Sequence, residues 1–88
     1  MLNVEFKIVN RLGLHARAAA QLVQTANRFK SEVTIEKEGT EVNGKSIMGL
    51  LMLAAPQGVT IRVRIDGDDA AEAMEAIGNL INDGFGED

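Results

Sequence analysis

The chain contains one histidine, and the residues around it, Gly13-Leu14-His15-Ala16-Arg17-Ala18, give it chemical meaning. His15 stands where a helix should begin, yet no Ser, Thr, Asp or Asn immediately precedes Ala16 to satisfy the first free N–H groups. A helix start left open in this way suits an outside anion, because backbone N–H groups and the positive end of the helix dipole both favour phosphate. The backbone of Ala16, Arg17 and Ala18 would supply those groups, and the Arg17 side chain adds a charged donor. The same positive end favours a neutral imidazole, which is nucleophilic near pH 7. These residues predict a phosphoryl-accepting His15 assisted by Arg17, set against the plainer reading of a surface or capping histidine.

Two further segments could carry chemistry. Gly39-Thr40-Glu41-Val42-Asn43-Gly44-Lys45-Ser46 satisfies the P-loop pattern G-x-x-x-x-G-K-S. A P-loop, however, needs a buried parallel strand before it and a long helix after it, and here the flanking residues read as a hairpin strand and a turn. Ser46 is instead a competent N-cap for a short helix over 47–53. Ile47, Met48, Leu50, Leu51, Met52 and Leu53 make that helix apolar almost all the way round. A short helix on a small domain cannot bury all of them, so some face solvent or a partner, with adaptable Met side chains among them.

The elements that must position these residues follow from periodicity. Leu2, Val4, Phe6 and Ile8 alternate with Asn3, Glu5 and Lys7, as in a half-buried strand. Residues 16–29 form a helix with Ala16, Ala19, Ala20, Val23, Ala26 and Phe29 on one stripe. Val33 and Ile35 mark a second strand, Glu38-Gly39 a turn, and 40–42 a short antiparallel return. After Pro56 and Gly58, Val59, Ile61, Val63 and Ile65 alternate with Thr60, Arg62 and Arg64 in a fourth strand. Asp69-Ala70-Ala71-Glu72 has the form of a capping box, and Ala70, Ala73, Met74, Ile77, Leu80 and Ile81 form the apolar stripe of a last helix, which Gly84 and Phe85 stop. The order β-α-β-β-α-β-α, with strands apolar on one side only, predicts an α+β open-faced β-sandwich: a four-stranded, mostly antiparallel sheet with three helices on one face.

With 88 residues the chain spans one domain, 1–88, and is too small for a deep substrate cavity. It has no Cys, hence neither a disulfide framework nor a thiolate metal site, and no metal or cofactor is expected. No apolar run approaches a membrane span and no leader pattern precedes the first strand, so a cytoplasmic protein without membrane insertion is expected. Residues 1–65 hold all nine basic and five acidic residues, a charge of +4, whereas eight acids and no base follow from Asp66 onward. The net charge of −4 opposes binding along a phosphate backbone. An RNA-binding sheet built on Lys7, Arg62 and Arg64 would lack the aromatic platform such sheets use, and no nucleic-acid partner is expected.

Gly13-Leu14-His15-Ala16-Arg17 and Asn43-Gly44-Lys45-Ser46-Ile47-Met48-Gly49-Leu50 together resemble the histidine-containing phosphocarrier (HPr) family of the bacterial phosphoenolpyruvate-dependent phosphotransferase system. The resemblance covers essentially the whole chain. It implies that His15 takes a phosphoryl group on Nδ1 from enzyme I and passes it to enzyme IIA-type domains, with Arg17 assisting at the phosphate. It also implies that Ser46 is a regulatory phosphorylation site where an HPr kinase/phosphorylase is present, and that partners meet a surface including Arg11, Leu14, Ile47, Met48 and Leu51. One departure is Ala18, where the family usually has Pro; either residue can occupy the first turn of a helix. Residues 80–88 and Leu50-Leu51-Met52-Leu53 are similar to the nitrogen-related paralogue, whereas 44–49 look more like the sugar-branch protein, and both branches stay open. The expectation is a monomeric carrier rather than an enzyme; the alternative is a non-catalytic interaction module acting through the 47–53 helix and Ser46.

Overall fold

A computed structural model describes residues 1–87; Asp88, the last of the terminal acids, lies outside them. The chain runs through β1 (Leu2–Lys7), α1 (Ala16–Ala26), β2 (Glu32–Lys37), β3 (Thr40–Asn43), α2 (Ile47–Leu53), β4 (Thr60–Asp66) and α3 (Ala70–Asn82), and ends in a 3-10 turn at Gly84–Gly86. The strands form one sheet in the order β1-β4-β2-β3, and every neighbouring pair is antiparallel. This is the open-faced α+β sandwich that the alternation predicts.

Register explains why one face is buried. Val4 lies opposite Val63, Val63 opposite Ile35, and Ile35 opposite Val42, so a row of apolar side chains crosses all four strands toward the helices. One position along, Glu5, Arg62, Glu36 and Glu41 form a row on the other face. There Arg62 bonds Glu5 at 2.9 Å and lies 3.9 Å from Glu36, while Arg64 bonds Glu41 at 3.1 Å. The two arginines that could have met a nucleic acid are engaged with carboxylates, and the hydrogen bonds to Glu5 and Glu41 raise their guanidinium pKa values. Such exposed pairs contribute little to stability. Their effect is to satisfy the open face.

Glu38 and Gly39, both at positive φ (51° and 85°), close the β2–β3 hairpin in two residues, with Lys37 paired to Thr40. That conformation matches the right-handed twist of the strands. The helices depart from expectation in detail. α1 buries Ala18, Ala19, Leu22, Val23 and Ala26, so its apolar stripe is rotated from the predicted one, and Ala16 is exposed. It stops at Ala26 with Asn27 as C-cap, leaving Phe29 half-buried beneath the Arg28 guanidinium. α3 buries Ala70, Ala73, Met74, Ile77 and Ile81 as the stripe predicts, and Leu80 is half-buried. Gly78 belongs to the same face because a Cβ there would lie 2.9 Å from the Phe6 ring, so its absence lets α3 approach β1. β1 is the least covered strand: Leu2 and Val4 remain 38% and 39% exposed.

The capping box at Asp69 does not form. Asp69 is the N-cap of α3, but its carboxylate accepts hydrogen bonds from the Lys30 N–H (2.9 Å), the Ser31 N–H (3.0 Å) and the Ser31 hydroxyl. Long-range donors outcompete the local ones, and the carboxylate ties the start of α3 to the start of β2. Those bonds, the Ser31 hydroxyl foremost, hold the Asp69 carboxyl below its ordinary range. A carboxyl depressed in the folded state contributes stability above its unfolded pKa, and that contribution is lost as pH falls through the folded value. Asp69→Ala is therefore expected to lower the melting temperature at pH 7, and the gap from the parent should narrow once pH drops below the ordinary Asp value of about 3.9. Melting curves at pH 7 and at pH 3 or lower check this; a constant gap would exclude the carboxylate as the cause.

Candidate functional site

The loop leaving β1 is built to present His15. Ile8 extends the strand pairing, donating to the Val59 carbonyl (2.9 Å) and accepting from the Gly58 N–H (2.7 Å). The chain then turns at Asn10, whose carbonyl accepts the Gly13 N–H at 3.1 Å and whose side-chain amide donates to the Gly13 carbonyl at 2.7 Å. Gly13 has φ +67°, and a Cβ on it would lie 2.5 Å from the Ala55 carbonyl oxygen. Only glycine meets both conditions without strain. The next residue, Leu14, donates its N–H to the same Ala55 carbonyl at 2.9 Å, pinning the start of α1 to the segment that follows α2.

His15 is the N-cap of α1, in extended conformation (φ −80°, ψ −177°), and its side chain makes no capping bond. Its carbonyl accepts the first helical bond from Ala19 at 2.8 Å. The N–H groups of Ala16, Arg17 and Ala18 consequently have no acceptor among the described residues. This is the open helix end that the missing capping residue predicts.

The imidazole is engaged from an unexpected direction. His15 Nε2 lies 2.5 Å from Glu87 Oε2, with the two side chains 26% and 16% exposed. Glu87 Oε1 accepts a 3.0 Å bond from the Asn10 amide, so both amide hydrogens of Asn10 are used, one on Gly13 and one on Glu87. Asn10 itself is only 1% exposed, and its Oδ1 has no partner among the described residues. The Asn10 amide, then the His15 ring and the nearby Arg17 charge, hold the Glu87 carboxyl below its ordinary range. Arg11, Leu12, Arg17, Gly86 and Glu87 line an open cleft of about 390 Å³ at this place. Asn10 and Glu87 were not legible as site residues. Glu87 is 72 residues from His15 in an acidic tail that reads as a solvated charge run, and it is delivered by Phe85, buried at φ +58° between Gly84 and Gly86.

Ser46 caps α2, its hydroxyl accepting the Gly49 N–H at 3.0 Å. The P-loop reading of 39–46 fails: β3 is an antiparallel edge strand, α2 has seven residues, and Lys45 Nζ donates to the Phe29 carbonyl beyond α1 at 2.8 Å. α2 buries Leu50 and Leu53 and leaves Ile47, Leu51, Met48 and Met52 exposed, the last two at 68% and 78%. A shallow concavity of about 240 Å³ lined by Leu12, Leu14, His15, Ala54, Ala55 and Pro56 joins the end of α2 to the histidine. Arg11 is exposed beside it. Leu14, expected on the partner surface, is instead 4% exposed and belongs to the core, because the Gly13 turn and the bond to Ala55 turn its side chain inward. Among the described residues no cluster of His, Asp and Glu could hold a metal ion, and no helix is long and apolar enough to cross a membrane.

Residues 2–83 match the family model for the HPr component phosphorylation site of the phosphotransferase system. The phosphocarrier protein HPr of Xylella fastidiosa is 54% identical over 88 residues, covering 100% of this chain and 99% of its own. That of Neisseria meningitidis is 56% identical over 87 residues, covering 99% and 98%. The crystal structure of HPr from Thermoanaerobacter tengcongensis superposes with a TM-score of 0.96 at 45% identity, covering 100% of this chain and 99% of that one. The same protein has also been solved as a dimer, with a TM-score of 0.79 at 46% identity and coverage of 99% and 100%.

The turn at Gly13 controls both stability and the aim of the histidine. Gly13→Ala is expected to destabilise the fold by about 1–3 kcal/mol, from positive φ and from overlap with the Ala55 carbonyl. Because Leu14 must back away from Ala55, the environment of the His15 ring should change as well. A melting curve with ¹⁵N-filtered spectra of the imidazole checks both; unaltered ring signals would show that the turn does not aim the histidine.

Proposed function

The chain belongs to the HPr family of phosphocarriers in the phosphoenolpyruvate-dependent phosphotransferase system, and on that premise we propose that His15 carries the phosphoryl group, taking it from phospho-enzyme I and donating it to enzyme IIA-type domains. The observation that carries this reading is the imidazole seated on a helix end whose first three N–H groups have no acceptor among the described residues. The neutral ring attacks phosphorus as the donor's N–P bond breaks, and the departing nitrogen keeps the electron pair. The N–H groups of Ala16, Arg17 and Ala18 and the Arg17 guanidinium hold the phosphoryl oxygens through the transfer. Positioning and charge stabilisation do most of the work in phosphoryl transfer, which is why a shallow site on a small protein suffices. The carrier acts as a monomer in this reading, which the gathering of Asn10, His15, Arg17 and Glu87 within one chain supports.

The exposed Ile47, Met48 and Leu51 on α2, with Arg11, form the surface on which partners dock. Ser46, at the edge of that surface, is the regulatory site. A phosphate at Ser46 sits at a helix N-terminus, where the dipole tolerates it, and its charge of about −2 bears on the partner.

Incubation with enzyme I, phosphoenolpyruvate and Mg²⁺ should add one acid-labile phosphoryl group, seen by intact mass. His15→Ala should abolish that gain and leave the melting temperature within a few degrees of the parent; an acid-labile group persisting on the variant would refute the assignment. Arg17→Ala should slow transfer about 10- to 100-fold, the worth of a charge-assisted hydrogen bond, with the site still phosphorylated at long times. Equal rates would remove Arg17 from the mechanism.

Ser46→Asp should lower the rate of His15 phosphorylation at sub-saturating carrier through weaker binding, with little loss of thermal stability because Asp can cap the helix as Ser does. Rates measured over a range of carrier concentrations, beside a melting curve, distinguish this from unfolding. A variant that docks and reacts normally would leave α2 without a regulatory role.

A further inference from the structure

The contact between His15 and Glu87 reaches one particular nitrogen. A neutral imidazole carries its single proton on Nδ1 or Nε2, and the nitrogen without it holds the lone pair that attacks. Glu87 Oε2 lies 2.5 Å from Nε2, and an ionised carboxylate accepts hydrogen bonds but cannot donate one. Nε2 must therefore bear the hydrogen. Nδ1 is left with the lone pair and has no partner among the described residues. The carboxylate is itself held in place: Asn10, 1% exposed, fixes Oε1 with the amide that also fixes the Gly13 carbonyl.

We propose that Glu87, oriented by Asn10, is a positioning residue that keeps the imidazole proton on Nε2, so that Nδ1 is the attacking nitrogen, and that its charge stabilises the ring once the phosphoryl group is attached. The proposal rests on His15 being the phosphoryl acceptor. As the Nδ1–P bond forms and the donor's N–P bond breaks, the proton stays on Nε2 and the ring becomes an imidazolium. A carboxylate on the far edge of the ring offsets that positive charge without crowding the anionic phosphoryl group at Nδ1. The logic is that of the carboxylate behind the histidine in a catalytic triad, which sets the tautomer and supports the cation without taking the proton. On donation the same proton makes the ring a better leaving group, so Glu87 assists transfer in both directions.

The test uses the full chain. In the unphosphorylated protein, long-range ¹H–¹⁵N spectra should show Nε2 as the protonated nitrogen in the parent and a mixture of tautomers in Glu87→Ala. Glu87→Gln, which keeps the Asn10 contact through its carbonyl oxygen, loses the charge and turns an NH2 donor toward Nε2, so it should show the ring proton on Nδ1 and accept and donate a phosphoryl group at least about three- to tenfold more slowly. That range is the weight of one opposite charge near a partly exposed ring. A melting curve unchanged in Glu87→Gln separates this role from a structural one. An unchanged tautomer in Glu87→Ala, or equal transfer rates for parent and Glu87→Gln, overturns the proposal. Failure of the parent to take up any phosphoryl group would instead defeat the assignment of His15, and the tautomer spectra would still decide what Glu87 does to the ring.

Discussion

Every helix begins with N–H groups that its own backbone cannot satisfy, and the arrangement of this molecule turns on leaving those of α1 unpaired. A serine or aspartate at position 15 would close the end locally, as Ser46 closes α2. Histidine does not, and its neighbours hold the ring without filling the gap. Gly13 brings the backbone against Ala55, Leu14 anchors in the core, and Glu87 engages the imidazole through Nε2. Each contact fixes the position of His15 while leaving three donors beside it without an acceptor among the described residues. Such an end is electrostatically unfinished, and an anion completes it.

The two caps show why like motifs have unlike outcomes. Ser46 and His15 both precede short apolar runs, but the Ser46 hydroxyl reaches Gly49 and the His15 ring does not turn back. Asp69 shows a third outcome, in which donors from a distant strand displace the local capping box. Caps are thus decided by what tertiary structure brings within reach as well as by residue type.

Strand alternation made the sheet legible, because a period of two survives any arrangement of neighbours, and the N-cap of α2 was equally plain. The stripe of α1 is less legible, since an Ala-rich helix offers several nearly equivalent apolar faces. Ala18 and Leu22 face inward where Ala16 and Ala20 were expected. The family resemblance implies Leu14 on the partner surface, yet the bond of its N–H to Ala55 accompanies a side chain turned inward. Half of the site was legible and half was not, for one reason. His15 and Arg17 announce themselves by local spacing, whereas Asn10 and Glu87 matter only through a contact spanning 72 residues, about which local pattern carries no information.

The strand order has a consequence for how the molecule comes into being. β1 precedes the other elements, yet the strand it pairs with is β4, which ends at Asp66. As the chain emerges during synthesis, the β2–β3 hairpin can close on itself at once, but β1 waits for its partner until the residues through Asp66 have been made. Assembly of the sheet is therefore a late, non-local event in which β4 enters between two waiting edges, and such pairings carry the greatest loop-closure entropy. Until then Leu2, Val4 and Phe6 stay unpaired. Asn3 and Glu5, set between them, and Lys7 after them are polar breaks of the kind that oppose aggregation of an unpaired strand.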